Sequence, residues 1–111
     1  MLYVNDDGVI RLTRGDSARL LITINSEIDN NTYKIKPTDT LTFTIKKAIK
    51  DTTPSVQKRI TGSNQFYILP TDTKDLSFGK YIYDVELTTS DGDVYTIIEP
   101  TTFVFLKEVT C

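Results

Sequence analysis

Two Asp-Thr pairs, Asp39-Thr40 and Asp72-Thr73, come closest in this sequence to residues that could do chemistry. Such a pair carries the carboxylate of aspartic proteases, where two carboxylates share a proton to activate water. Neither pair is followed by the Gly of that motif, and Asp and Thr also satisfy backbone groups at turns and helix ends. Capping is the role expected of both pairs. Asp91-Gly92-Asp93 brings two carboxylates around a glycine, but a calcium loop needs further oxygen ligands at set spacing, and these are missing. Asp91 and Gly92 lie between two alternating runs and are expected to form a hairpin turn.

The residue types that are absent exclude more. The chain of 111 residues has no His and no Trp, and its one Cys is the last residue, Cys111. An internal disulfide framework, a Cys/His zinc site and any nucleophile paired with a histidine base are therefore set aside. Lys107 is the basic residue nearest Cys111, and nothing beside the thiol lowers its pKa convincingly, so it is given no role. No catalytic residue, metal ligand set or cofactor site is expected, and the chain reads as non-enzymatic.

Binding surfaces are the next candidates. Lys46, Lys47, Lys50, Lys58 and Arg59 form the basic concentration. A surface for single-stranded nucleic acid would interleave such charges with exposed aromatics. Phe43, the nearby aromatic, alternates inward, and the formal net charge is −2, so no nucleic-acid partner is expected. The six Tyr residues raise a carbohydrate platform, with Tyr33 and Tyr95 as its testable members, although most Tyr fall on inward registers. No apolar run approaches the roughly 20 residues of a membrane-spanning helix, so no membrane partner is expected. The start at Met1-Leu2-Tyr3-Val4 lacks the basic and apolar regions of a secretory signal, and a cytoplasmic origin is expected.

The elements that must position these residues are strands. Thr is the commonest residue type and Ala is scarce. Ala18, Leu20, Ile22 and Ile24 share one face of a run whose other face is Ser17, Arg19, Leu21 and Thr23. Residues 25–38 read as a long surface loop. Leu41, Phe43 and Ile45 point inward from the next run. Val56 to Ile60 is short and charged, which suits a sheet edge. Gln65 to Leu69 follows, then one helical turn from Pro70 to Leu76 with Thr71 or Asp72 as cap. Tyr81, Tyr83, Val85 and Leu87 share a face, and after the Asp-Gly turn come Val94 to Ile98 and Thr102 to Leu106.

About seven or eight strands at regular spacing, with no long helix, predict an all-β, antiparallel immunoglobulin-like β-sandwich occupying residues 1–111 as one domain. Within it Gly79 and Tyr81 are expected to form a structural corner, the tyrosine hydroxyl folding back onto nearby backbone. The last run is apolar on both faces. If Phe103 and Phe105 face the core, Val104 and Leu106 face out, and with Ile82 or Ile97 they form a patch for a partner or for the 25–38 loop to cover.

Leu12-Thr13-Arg14-Gly15-Asp16-Ser17, the run from Asp72 to Val85, and Asp91 to Ile98 continuing to Phe103 and Glu108-Val109-Thr110 together resemble a known family. It is that of small β-sandwich proteins from the tail and baseplate regions of phages and prophages of Gram-positive bacteria, including the N-terminal domain of upper baseplate proteins. The resemblance implies a structural role, docking on a tail hub or on copies of itself, with no catalytic residues to carry over. Upper baseplate proteins continue into a helical, receptor-connecting part, whereas this chain stops at Cys111, which points to an accessory tail or head–tail component. Its expected location is the host cytoplasm during assembly and then the virion. A carbohydrate-binding or other adhesion module is the alternative function.

Overall fold

The computed structural model describes residues 2–4, 8–25 and 32–107. In chain order the strands are β1 (Leu2–Val4), β2 (Ile10–Thr13), β3 (Ala18–Leu21), β4 (Ile24–Asn25) and β5 (Thr32–Tyr33). Next come β6 (Thr40–Lys46), β7 (Val56–Thr61), β8 (Gln65–Ile68), the single-turn helix α1 (Pro70–Thr73), β9 (Gly79–Thr88) and β10 (Val94–Leu106). Six strands form one sheet in the order β1-β2-β10-β9-β6-β7, while β3 pairs with β8 and β4 with β5 in two small sheets. The fold is all-β and of the immunoglobulin-like sandwich kind. Its pairing is antiparallel except between β2 and β10, which run parallel from Phe103 opposite Ile10 to Leu106 opposite Thr13.

Period-two alternation places the core. Leu41, Phe43 and Ile45 on β6, Tyr81, Tyr83, Val85 and Leu87 on β9, and Phe103 and Phe105 on β10 are all buried. From the other side Ala18, Leu20, Phe66 and Ile68 close over them, so β3 and β8 cover the inner face of the large sheet. The aromatic rings lock the layers together. Phe43 packs at 5.4 Å from Phe66 of the small sheet and 5.5 Å from Tyr83, and Phe103 lies 4.9 Å from Phe105. These separations fall within the range where tilted and edge-on ring pairs attract beyond simple burial.

Three local features depart from the sequence pattern. The 25–38 stretch is not all loop: β4 and β5 pair there, Ile24 opposite Tyr33, and Tyr33 and Ile35 pack against the core. Leu69, with extended backbone, is the N-cap of α1; Asp72 sits three residues into the helix and accepts from the Leu69 N–H at 2.7 Å. Neither Thr71 nor Asp72 is therefore the cap. β10 carries register shifts between Thr96 and Ile98 and between Ile98 and Thr101, the mark of β-bulges.

Candidate functional site

The two Asp-Thr pairs are occupied by structure. The buried Asp39 carboxylate accepts the Tyr33 hydroxyl at 2.6 Å and the Lys36 N–H at 3.0 Å. Those two hydrogen bonds hold its pKa below the usual carboxylate range, with the tyrosine contributing most. The Tyr33 phenol is raised in turn, chiefly by the same bond and then by burial. Asp72 joins α1 to β7 through an ion pair with Lys58 at 2.7 Å. The Thr73 side chain, fully buried, accepts the Gly15 N–H at 2.9 Å and so ties α1 to the β2–β3 turn. Among the described residues no group of three or more metal-ligating side chains converges, and no helix is long and apolar enough to cross a membrane.

At the corner, the Tyr81 hydroxyl donates to the Ser77 carbonyl at 3.1 Å and lies 2.9 Å from the Ser77 hydroxyl. Gly79 opens β9 with φ +116°, a conformation that strains any residue carrying a Cβ. Arg14 reinforces this end, donating to the Leu76 carbonyl at 3.0 Å while its guanidinium sits 4.0 Å from the Phe78 ring centroid. At the other end of β9, Asp91 and Gly92 lie in the connection to β10. The Gly92 N–H donates to the Thr89 carbonyl, the Thr89 N–H to the Asp93 carbonyl, and Gly92 has φ +88°.

The basic residues do not gather. Lys46 and Arg59 lie on the outer face of the large sheet, Lys58 turns to the inner side to reach Asp72, and Lys47 donates to the Ser77 hydroxyl at 3.0 Å. Tyr33 packs against the core with its hydroxyl engaged by Asp39, while Tyr95 is exposed. Cys111 lies outside the described residues.

The apolar patch expected from Ile82, Ile97, Val104 and Leu106 is only partly assembled. Val104 sits on the outer face between Arg11 of β2 and Lys80 of β9, Leu106 beside Thr13, and Ile82 between Lys46 and Thr102, all half-buried. Ile97 is a correction: it packs against the core, with the same parity along β10 as the buried Phe103 and Phe105, so it does not belong to an outer patch.

An open apolar strip lies on the small sheet, apart from the exposed Ile49 after β6, Phe78 before β9 and Val94 and Tyr95 at the start of β10. Leu21 is 67% exposed and Tyr67 and Leu69 are each 42% exposed, although strand pairing holds their backbones in place. Arg19 faces Tyr67, its guanidinium 5.1 Å from the ring centroid, and Leu21 faces Gln65, which makes Leu21 and Tyr67 diagonal neighbours. Leu69 is extended and lies two residues beyond Tyr67, so it continues the same face. The alternation of β3 put Leu21 on its outer side; nothing local marked that side as uncovered.

A second surface, of opposite character, lies on the outer face of β7, β6 and β9. It is concave, with a cavity volume of about 610 Å³, and its floor and walls are threonines with Gln57, Arg59, Asp84 and Glu86. Thr42 stands opposite Arg59 on one side and Glu86 on the other, and Thr44 opposite Gln57 and Asp84. Thr52 and Pro54, from the β6–β7 connection, close one side. Partial burial raises the Asp84 carboxyl above its ordinary pKa, against the opposing pull of Lys46.

Fold and surfaces together define an immunoglobulin-like β-sandwich with one apolar and one polar outer face. Set against protein-family models, curated proteins and solved structures, the chain matches none.

Proposed function

We propose that this chain is a non-enzymatic structural domain, an accessory component of a phage or prophage tail or baseplate, that assembles through its two-stranded sheet. The observation that carries the docking role is the exposed strip of Leu21, Tyr67 and Leu69 on a sheet of only two strands. Exposed apolar residues gathered on one face mark association surfaces. Edge chemistry supports the same choice. β7, which with β1 forms the two edges of the large sheet, carries Gln57, Lys58 and Arg59, and charge of this kind discourages strand addition. β3 reads Ala18-Arg19-Leu20-Leu21, and among the described residues it has one strand partner, β8.

The occupant is a second copy of the chain. Strand addition at β3 by its own counterpart is a two-fold contact, which closes on itself and sets the two apolar strips side by side. The tail or baseplate setting is supported by the resemblance of the segments around Leu12–Ser17, Asp72–Val85 and Asp91–Ile98 to that family. Light scattering after size exclusion tests the docking. The parent is expected to show mass rising toward a dimer with concentration. The double variant Leu21→Asp, Tyr67→Ser is expected to remain a monomer with an unchanged unfolding midpoint. A parent that is monomeric at every attainable concentration contradicts self-docking.

A further inference from the structure

We propose that the concave outer face of β7, β6 and β9 is a binding site for an uncharged, polyhydroxylated chain, a neutral oligosaccharide. This site is independent of the docking strip, which lies on the other sheet.

Size and shape come first. A cavity of about 610 Å³ lies within the range of small-ligand sites, roughly 300–1,000 Å³. It adjoins a smaller hollow of about 130 Å³ that shares Thr44, Lys46 and Asp84 with it and adds Ile49, Ile82 and Pro100. The two hollows meet at these shared residues, and the smaller one brings apolar side chains beside the polar lining of the larger. A sugar presents the same combination, hydroxyl edges and C–H faces.

The chemistry of the lining then selects among ligands. Arg59 offers only donors, Asp84 and Glu86 only acceptors when ionised, Gln57 both, and the hydroxyls of Thr42 and Thr44 either. Sugar hydroxyls donate and accept at once, so each of these groups finds a complement on one ligand. The charges also cancel across the cavity, two cations in Lys46 and Arg59 against two anions in Asp84 and Glu86. A polyanion such as nucleic acid would meet the carboxylates, and a polycation the guanidinium and ammonium groups. An uncharged polyol meets neither penalty. An extended peptide would add to a sheet edge through its backbone, and this site is a sheet face.

The polar groups are also left available. Arg59 and Glu86 flank Thr42 on the two neighbouring strands, so their backbones stand roughly 9–10 Å apart by the usual interstrand spacing. Among the described residues, no ion pair or hydrogen bond engages the side chain of Arg59, Glu86 or Asp84. Gln57 donates to the Thr44 hydroxyl at 3.1 Å, which fixes the amide against the floor. The half-buried Asp84 carboxyl has lost part of its water and gained no protein donor, so a ligand hydroxyl there replaces missing solvation.

The test is a glycan array carrying neutral and acidic glycans, followed by NMR titration of the isotope-labelled chain with the strongest neutral binder. The expected result is selective retention of neutral glycans and saturable amide shifts at Thr42, Thr44, Gln57, Asp84 and Glu86. Arg59→Ala and Glu86→Gln should each weaken binding at least tenfold while leaving the unfolding midpoint unchanged. Leu21→Asp should not alter glycan binding, which keeps failure of this site distinct from failure of the docking strip. The proposal is overturned if no neutral glycan binds, if acidic glycans are preferred, if the shifts centre on Tyr95, or if both groove variants bind as the parent does.

Discussion

The two outer faces of this sandwich are built from the same alternating strands but end in opposite surfaces. On the large sheet the outward positions of β6 are Thr40, Thr42, Thr44 and Lys46, and their neighbours on β7 and β9 are polar or charged. On the small sheet the outward positions include Leu21 and Tyr67, and Leu69 extends the row. The inner faces show no such contrast, since both are closed into one aromatic and aliphatic cluster. Stability therefore resides between the sheets, and the two proposed recognition surfaces lie on their outsides, one for apolar association and one for polar ligand contacts.

The largest expected effect breaks the shared interior. Phe43 is fully buried and its ring touches Phe66, Tyr83 and Phe103, so Phe43→Ala removes contacts to both sheets. A loss of about 3–5 kcal/mol is expected in urea unfolding. A loss under about 1 kcal/mol would mean that the two layers are not held through this ring.

Next in size is the tie between α1 and the β2–β3 turn. Thr73→Val keeps the shape but leaves the Gly15 N–H without its acceptor, and should lower stability by about 1–3 kcal/mol. Thr73→Ser retains the hydroxyl and should recover most of that loss; equal losses in the two variants would assign the effect to packing alone.

Two carboxylates should respond to pH with opposite signs. Asp39 is depressed in the folded state, so its contribution is present above the unfolded carboxylate pKa of about 4 and is lost as pH falls through its lower folded value. Asp84 is raised, so its ionised form is disfavoured by folding, and its favourable contribution is lost as pH rises through its folded value. At neutral pH, Asp39→Asn should lower the urea midpoint and Asp84→Asn should raise it, both differences fading in acid. A common sign for the two variants would show that the polar outer face and the buried turn do not differ as described. The smallest effect is Leu21→Asp, expected to change monomer stability by no more than about 0.5 kcal/mol because the side chain is already exposed.

Much of the interior was legible from alternation alone. Ala18, Leu20, Ile22 and Ile24, and the series from Tyr81 to Leu87, all turn inward as their period-two spacing requires. The charged β7 stands at a sheet edge, and Asp91-Gly92 lies in the connection between β9 and β10. Ile98 was not legible, because a bulge sets it opposite the buried Val85 although its parity matches the outward Val104 and Leu106. The polar groove was not legible either. It depends on β6 lying between β7 and β9, and the pairing of Thr44 with Asp84 joins positions 40 residues apart. The exposed strip required knowing that β3 and β8 form a sheet of their own, and strand order is a property of the whole chain.

Assembly through the small sheet is read out by hydrogen exchange measured across a concentration series. β3 amides not facing β8 are expected to gain protection as concentration rises, while amides on the free edge of β7 are not. Protection that stays constant in β3, or that rises along β7 instead, would contradict it.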